Sequence, residues 1–128
     1  DDTGLEIDSL NGEPGVYSAR YSGKEKNSEK NMQLVLNNLK NKIDRKARFK
    51  TIISLIHYGK CLNFEGIING EITHKRRGMN GFGYDSIFQP NGYSMTFGEM
   101  ENEEKNRISH RSIAINKMIN YFKENNLL

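Results

Sequence analysis

Residues 47–58 read ARFKTIISLIHY, and their side chains alternate with a period of two. The odd positions from 47 to 55 carry Ala, Phe, Thr, Ile and Leu, whereas the even positions begin with Arg and Lys. Successive side chains of a β-strand point to opposite faces of its sheet, so this alternation predicts one long strand.

The chain that follows this strand carries two turn signals. Gly59-Lys60 is expected to turn the chain into a second strand at 62–68. Asn69-Gly70 predicts a further hairpin turn before Glu71–Thr73. These segments together predict an antiparallel meander.

Two helices are predicted on either side of the meander. The first covers residues 27–41, where apolar side chains recur at i, i+3, i+4 and i+7: Met32, Val35, Leu36 and Leu39. The second lies near the C-terminus, with Ser109 as its N-cap and these apolar positions: Ile113, Ile115, Met118, Ile119 and Phe122. Short strands are expected at 87–88 and 94–97.

These elements predict one domain over residues 1–128 of the α/β class, in a mixed α+β arrangement. We expect a twisted mixed sheet that contains the long antiparallel meander, with helices flanking it. A length of 128 residues is typical of a single domain.

Composition excludes several classes of protein. A net charge of +3 is too small to mark a strongly basic nucleic-acid binder. The single cysteine, Cys61, excludes an internal disulfide framework and fits a reducing cytoplasm. No apolar run approaches the roughly 18 residues of a membrane span, and the start lacks a signal-peptide profile. We therefore expect a cytoplasmic protein that binds no membrane.

Three clusters of residues could carry chemistry, and the first opens the chain. Asp1 and Asp2 stand beside the hydroxyl of Thr3 and the small residue Gly4. Adjacent carboxylate oxygens suit Mg²⁺ and can deprotonate a water molecule. A solvated turn is the alternative interpretation.

The second cluster is the glycine-rich segment 78–88. Its glycines alternate with Phe82 and Tyr84 and are followed by Asp85. Glycine lets a backbone approach a flat ligand closely, while the aromatic ring stacks on the ligand and the carboxylate accepts hydrogen bonds. A glycine-rich turn with core aromatics is the alternative.

The third cluster combines Lys105 with His110 and Arg111. The last two fall in the first turn of the predicted helix, where cations oppose the helix dipole and free N–H groups favour anions. A ligand that carries acceptors or negative charge would explain them, and solvated basic side chains are the alternative.

In this order and spacing, the clusters resemble the inosine/xanthosine triphosphate pyrophosphatase family of non-canonical purine nucleoside triphosphate pyrophosphatases. The matching elements are Asp1–Leu5, Glu13–Tyr21, Gly81–Ser86, and Lys105 with Ser109–Arg111. The resemblance covers essentially the whole chain.

The resemblance implies a fold of two lobes around a cleft and Mg²⁺-dependent hydrolysis of ITP, dITP and XTP to the monophosphate and pyrophosphate. It implies that Asp2 binds the metal and accepts a proton from the attacking water, with Thr3 beside the phosphates. The implied substrate pocket consists of Phe82, Gly83, Tyr84, Asp85, Lys105, His110 and Arg111. A homodimer is implied as well.

Purine selectivity would then depend on hydrogen-bond donors. Inosine and xanthosine carry a keto acceptor at the 6-position, whereas adenine carries an amino donor. We expect Lys105, protonated His110 and Arg111 to donate to the keto oxygen, so that adenine would leave them buried and unpaired.

The sequence departs from the family pattern at three points. Thr3 replaces Ser and Ser86 replaces the usual Pro. The family's phosphate loop, a metal-binding Glu and several strands belong to a segment preceding these residues, so we expect the chain to be a C-terminal portion. The chain by itself is then expected to be oligomeric or marginally stable and to hydrolyse ITP negligibly. An inactive nucleotide- or RNA-binding fragment remains the alternative function, and a basic RNA-binding module is a third.

Overall fold

The computed structural model describes residues 2–127 and consists of one sheet with three α-helices. The elements are β1 (Asp2–Ile7), β2 (Pro14–Gly15), α1 (Ser28–Asn38), β3 (Lys46–His57), β4 (Lys60–Ile72), β5 (Phe88–Pro90), α2 (Asn102–Ile108) and α3 (His110–Glu124). The strand order is β2-β1-β3-β4-β5, which confirms the α+β class and the meander. The sheet was expected to be mixed, but all four strand pairings among the described residues are antiparallel.

The β3–β4 hairpin turns at Tyr58-Gly59, where both residues have positive φ angles of 50° and 75°. Such a two-residue turn matches the twist of the strands on either side of it. The turn expected at Asn69-Gly70 is wrong, because both residues lie inside β4. Gly70 pairs with Pro90, and a side chain there would collide with the Gln89 carbonyl oxygen. The glycine therefore makes room for β5.

The strand expected at 94–97 is also wrong, because this segment is a loop. It is nevertheless held tightly. The Phe97 amide donates to the Phe88 carbonyl at 3.0 Å, and Thr96 Oγ1 donates to the Arg77 carbonyl at 2.6 Å. Phe97 is fully buried, so the segment serves as a wall of the core.

The core lies between the sheet and the helices. Met32 and Val35 of α1, and Leu39 at its C-cap, are buried as predicted, and they belong to one core cluster with Leu5 and Ile7 of β1. Asn27 caps this helix through its side chain. An aromatic cluster fills the other half of the core: Phe49, Phe88 and Phe97.

Helix α3 lies across β3 and β4, and Ser109 is its N-cap as predicted, accepting a hydrogen bond from the Ser112 amide at 3.2 Å. The shorter helix α2, which carries Lys105, is not among the predicted elements. Within residues 2–127, no helix combines the length and apolarity needed to cross a bilayer.

Candidate functional site

A cavity of about 620 Å³ lies between the start of β1, the glycine-rich loop before β5 and the first turn of α3. All eight residues that the resemblance implies for substrate binding line it: Thr3, Phe82, Gly83, Tyr84, Asp85, Lys105, His110 and Arg111. The three sequence clusters therefore meet in space, although Arg111 and Thr3 are 108 positions apart in the chain.

A buried ion pair forms one wall of the cavity. Lys105 Nζ lies 2.6 Å from Asp85 Oδ2, and their side chains are 13% and 6% exposed. The same carboxylate oxygen accepts a hydrogen bond from the Phe82 amide at 2.9 Å. The aspartate thus ties the glycine-rich loop to α2, and it holds the lysine at the cavity.

Phe82 presents an aromatic surface at this wall, since its side chain is 65% exposed. Lys105 Nζ lies 4.7 Å from the ring centroid, and Arg111 Cζ lies 5.7 Å from it. Both distances permit cation–π attraction. A flat ligand could stack on this ring beside two cationic donors.

Tyr84 is placed differently, because its side chain is buried. Its hydroxyl donates to the Ser18 carbonyl at 2.5 Å, and burial raises its pKa. Asn31 donates to the neighbouring carbonyl of Ala19 at 3.0 Å. Tyr84 therefore lines the cavity with its body, while its hydroxyl joins the loop to the segment that precedes α1.

His110 forms the floor of the cavity. Its ring stacks on Phe49 with a centroid distance of 4.7 Å and an interplanar angle of 18°. Burial, together with the nearby charges of Arg111 and Lys105, lowers its pKa to about 4. The expectation of a protonated His110 is therefore wrong at neutral pH, because burial penalises the charged ring. A neutral imidazole donates from only one of its two nitrogens.

One ring nitrogen of His110 has a further property. Among the described residues, Nδ1 is the buried side-chain polar atom that has no hydrogen-bond partner. A buried polar atom without a partner costs free energy. A ligand in the cavity could satisfy it.

The lowered pKa of His110 predicts a pH dependence of stability. Between about pH 6.5 and 4 the unfolded chain binds a proton that the folded protein excludes, so the free energy of unfolding falls as the pH is lowered through this window. The loss is on the order of 3 kcal/mol when the window has been crossed. Urea unfolding at pH 7.0, 5.5 and 4.5 measures it. His110→Phe keeps the stacking on Phe49 and is expected to flatten this part of the profile, whereas equal profiles for the two proteins would contradict the prediction.

A glycine positions the first turn of α3. Gly66 of β4 lies directly beneath the helix, where a side-chain Cβ would overlap the His110 carbonyl oxygen and lie 2.7 Å from the Ala114 amide nitrogen. Ala114 is itself fully buried. The small residues let the helix backbone rest on the sheet, which sets the depth of His110 and Arg111 in the cavity.

Asp2 is exposed at the start of β1, next to Thr3, and does not line the cavity. Asp1 lies outside the described residues. Within residues 2–127, no group of three or more His, Cys, Asp or Glu side chains could hold a metal ion. Mg²⁺ commonly uses one or two carboxylates together with waters and substrate phosphates, so the exposed Asp2 carboxylate fits one ligand position.

Several cavity residues were not singled out in the sequence. Lys26 lines it from the loop before α1, Ser28 and Asn31 line it from the start of α1, and Phe49 lines it from β3. The alternation of β3 places Phe49 on one face of the sheet, but no local pattern tells which face the cavity occupies. Lys26 sits in a charged loop, where sequence alone does not separate it from its neighbours.

Comparison with known proteins places the chain among relatives. The model of the Ham1 family matches residues 1–121. Two relatives named dITP/XTP pyrophosphatase are 54% identical over 94% of this chain (Christiangramia forsetii) and 53% identical over 93% (Flavobacterium johnsoniae). The solved Ham1 protein of Staphylococcus aureus superposes with a TM-score of 0.94 at 42% identity over 97% of this chain. The chain spans 64%, 62% and 65% of the lengths of these three proteins. On the agreement of sequence and fold, the chain belongs to the Ham1 family.

Proposed function

We propose that the protein carrying this chain hydrolyses non-canonical purine nucleoside triphosphates, namely ITP, dITP and XTP, to the monophosphate and pyrophosphate. This reaction would cleanse the nucleotide pool of the cytoplasm. The observation that carries the proposal is the convergence of Phe82, Asp85, Lys105, His110 and Arg111 on one cavity. The names of the two relatives support the same substrate class.

The cavity walls suit a purine that carries a keto group. Phe82 offers a stacking surface, and Lys105 and Arg111 offer N–H donors beside it. A 6-keto oxygen accepts from such donors, whereas the 6-amino group of adenine cannot. Binding adenine would leave donors unpaired in a partly buried site, which costs affinity and turnover.

The hydrolytic step needs a base and charge neutralisation at the phosphates. We assign the base to Asp2, whose carboxylate would accept a proton from the attacking water. Mg²⁺, when bound, would neutralise phosphate charge and orient that water, and Asp2 would contribute one carboxylate to it. Thr3 is the next residue along the chain. It lines the cavity and would face the phosphates.

Pyrophosphate release from ITP, dITP, XTP and ATP tests the function. The assay uses the chain alone and the chain joined to the segment of the C. forsetii relative that it does not match, each with and without Mg²⁺. Mg²⁺-dependent turnover that prefers ITP over ATP is expected of the joined protein, and Arg111→Ala should narrow that preference mainly by weakening ITP. Nucleotide binding without turnover in both forms would instead favour an inactive nucleotide-binding fragment.

The close fit at Gly66 predicts a large effect of one methyl group. Gly66→Ala should lift the first turn of α3 and raise the KM for ITP roughly tenfold, because misplacing binding groups by about 1 Å is costly. Gly70→Ala is the matched control, since it overpacks the same strand against Gln89 and Phe88 instead of α3. Both variants should lose about 1–3 kcal/mol of stability, but only the first should change KM. Equal KM values for the two variants would refute this role of Gly66.

We also propose that the protein forms a homodimer through the exposed tip of the β3–β4 hairpin. Ile56 and Tyr58 are 77% and 91% exposed there, two positions apart in the chain, and contiguous exposed apolar patches mark interaction surfaces. Light scattering on the wild type and on Tyr58→Glu measures the mass. A dimer that the variant disrupts is expected, while a monomeric wild type would contradict the proposal.

A further inference from the structure

A buried hydroxyl lies beneath the cavity residue Thr3. Thr51 of β3 pairs with Thr3 of β1 in the sheet register, and its side chain is fully buried. The two Oγ1 atoms are 2.9 Å apart. On its other side Thr51 pairs with Gly66, over which the first turn of α3 lies. This row across three strands buries Thr51 and keeps it in contact with the site.

The direction of the hydrogen bond follows from what each group can donate. A hydroxyl group has one proton to donate and two lone pairs that accept. Within residues 2–127, the Thr51 hydroxyl has one hydrogen-bond partner, which is Thr3 Oγ1. If Thr3 donated, the buried Thr51 proton would be left without an acceptor, at a cost in free energy. Thr51 therefore donates and Thr3 accepts.

A second donor reaches the same oxygen. Arg111 Nη2 lies 3.4 Å from Thr3 Oγ1, and a guanidinium group can only donate. With Thr51 and Arg111 both donating, the two lone pairs of Thr3 Oγ1 are occupied. The remaining proton of Thr3 is then available only as a donor to something outside the pair.

We propose that Thr51 is a positioning residue that presents the Thr3 hydroxyl as a hydrogen-bond donor to an anionic phosphate oxygen of the ligand. The inference rests on the proposed function, because it takes a nucleoside triphosphate as the ligand of the cavity. Thr51 itself touches no substrate and acts on the ligand only through Thr3. Because Thr51 and Arg111 both donate to Thr3 Oγ1, neither of them competes with the ligand for the Thr3 proton.

Replacement of Thr51 by Val in the full-length protein tests the proposal, because valine has the same shape without the hydroxyl. Thr51→Val should lower kcat/KM for ITP about 3- to 10-fold, the range expected for one hydrogen bond. Thr51→Ser keeps the hydroxyl and should restore most of this loss. The matched control is Thr96→Val, which removes a fully buried hydroxyl bound to the Arg77 carbonyl, away from the cavity. The control should lower the Tm and leave kcat/KM unchanged.

A double-mutant cycle separates positioning from general destabilisation. If Thr51 acts through Thr3, Thr51→Val should have no further effect on kcat/KM in a Thr3→Val background. An equal loss in both backgrounds, or an unchanged kcat/KM for Thr51→Val alone, would overturn the proposal.

Calorimetric titration with ITP distinguishes failure of this inference from failure of the proposed function. If the wild type binds ITP without turnover, the proposed function fails. The double-mutant cycle of Thr51→Val and Thr3→Val, measured as ITP affinity instead of kcat/KM, then still decides the role of Thr51. A wild type that neither binds nor hydrolyses ITP would overturn both.

Discussion

Replacing Asp2 by Asn is expected to lower ITP turnover about 10²-fold or more while leaving ITP affinity largely intact. The amide has nearly the same shape, but it cannot accept the proton of an attacking water, and loss of a general base commonly costs 10²- to 10⁴-fold. The affinity for ITP is retained because Asp2 does not line the cavity in which the purine ring would bind. Single-turnover rates and ITP titration measure the two quantities separately.

Asp8→Asn is the matched control, since Asp8 is an exposed carboxylate in the turn that directly follows β1. It should retain wild-type turnover. A rate for Asp2→Asn above about a tenth of the wild-type rate would mean that another group is the base.

Replacing Lys105 by Met is expected to destabilise the protein by about 3 kcal/mol, because it leaves the buried Asp85 carboxylate without its partner. The same change removes a donor from the cavity, so the affinity for ITP should fall as well. Chemical unfolding and ITP titration measure these two effects.

The chain offers a matched exposed pair as the control. Lys50 lies 3.5 Å from Glu65, and their side chains are 29% and 45% exposed, so Lys50→Met should cost less than about 1 kcal/mol. Adding Asp85→Asn to Lys105→Met should recover part of the stability but none of the ITP affinity, because the buried charge is gone while the donor is still missing. Equal losses for Lys105→Met and Lys50→Met would refute the argument.

The elements that the sequence predicts correctly have causes close together in the chain. The alternation in 47–58 produces β3, and the apolar spacing around Val35 produces the buried face of α1. The hydroxyl of Ser109 caps α3 through an amide only three residues away. Each pattern acts over a few residues, so it can be recognised without knowledge of the rest of the fold.

The wrong predictions share a different cause. Asn69-Gly70 has the composition of a turn, but β5, a distant segment, requires a residue without a side chain at position 70. The segment 94–97 was expected to be a strand, but it is a loop whose Phe97 amide donates to the Phe88 carbonyl and whose Thr96 hydroxyl donates to the Arg77 carbonyl. In both cases the fit against another element overrides the local preference.

The sequence by itself determined the class of fold, the main strands and helices, and eight of the residues that line the cavity. The tertiary structure alone decided how their side chains behave there. The pKa of His110 is lowered because the ring is buried against Phe49 beside two cations, and Thr3 forms a hydrogen bond with Thr51, a residue 48 positions away. Protonation and hydrogen-bond direction depend on burial and on partners that the folded chain brings together, and no pattern of neighbouring residues contains that information.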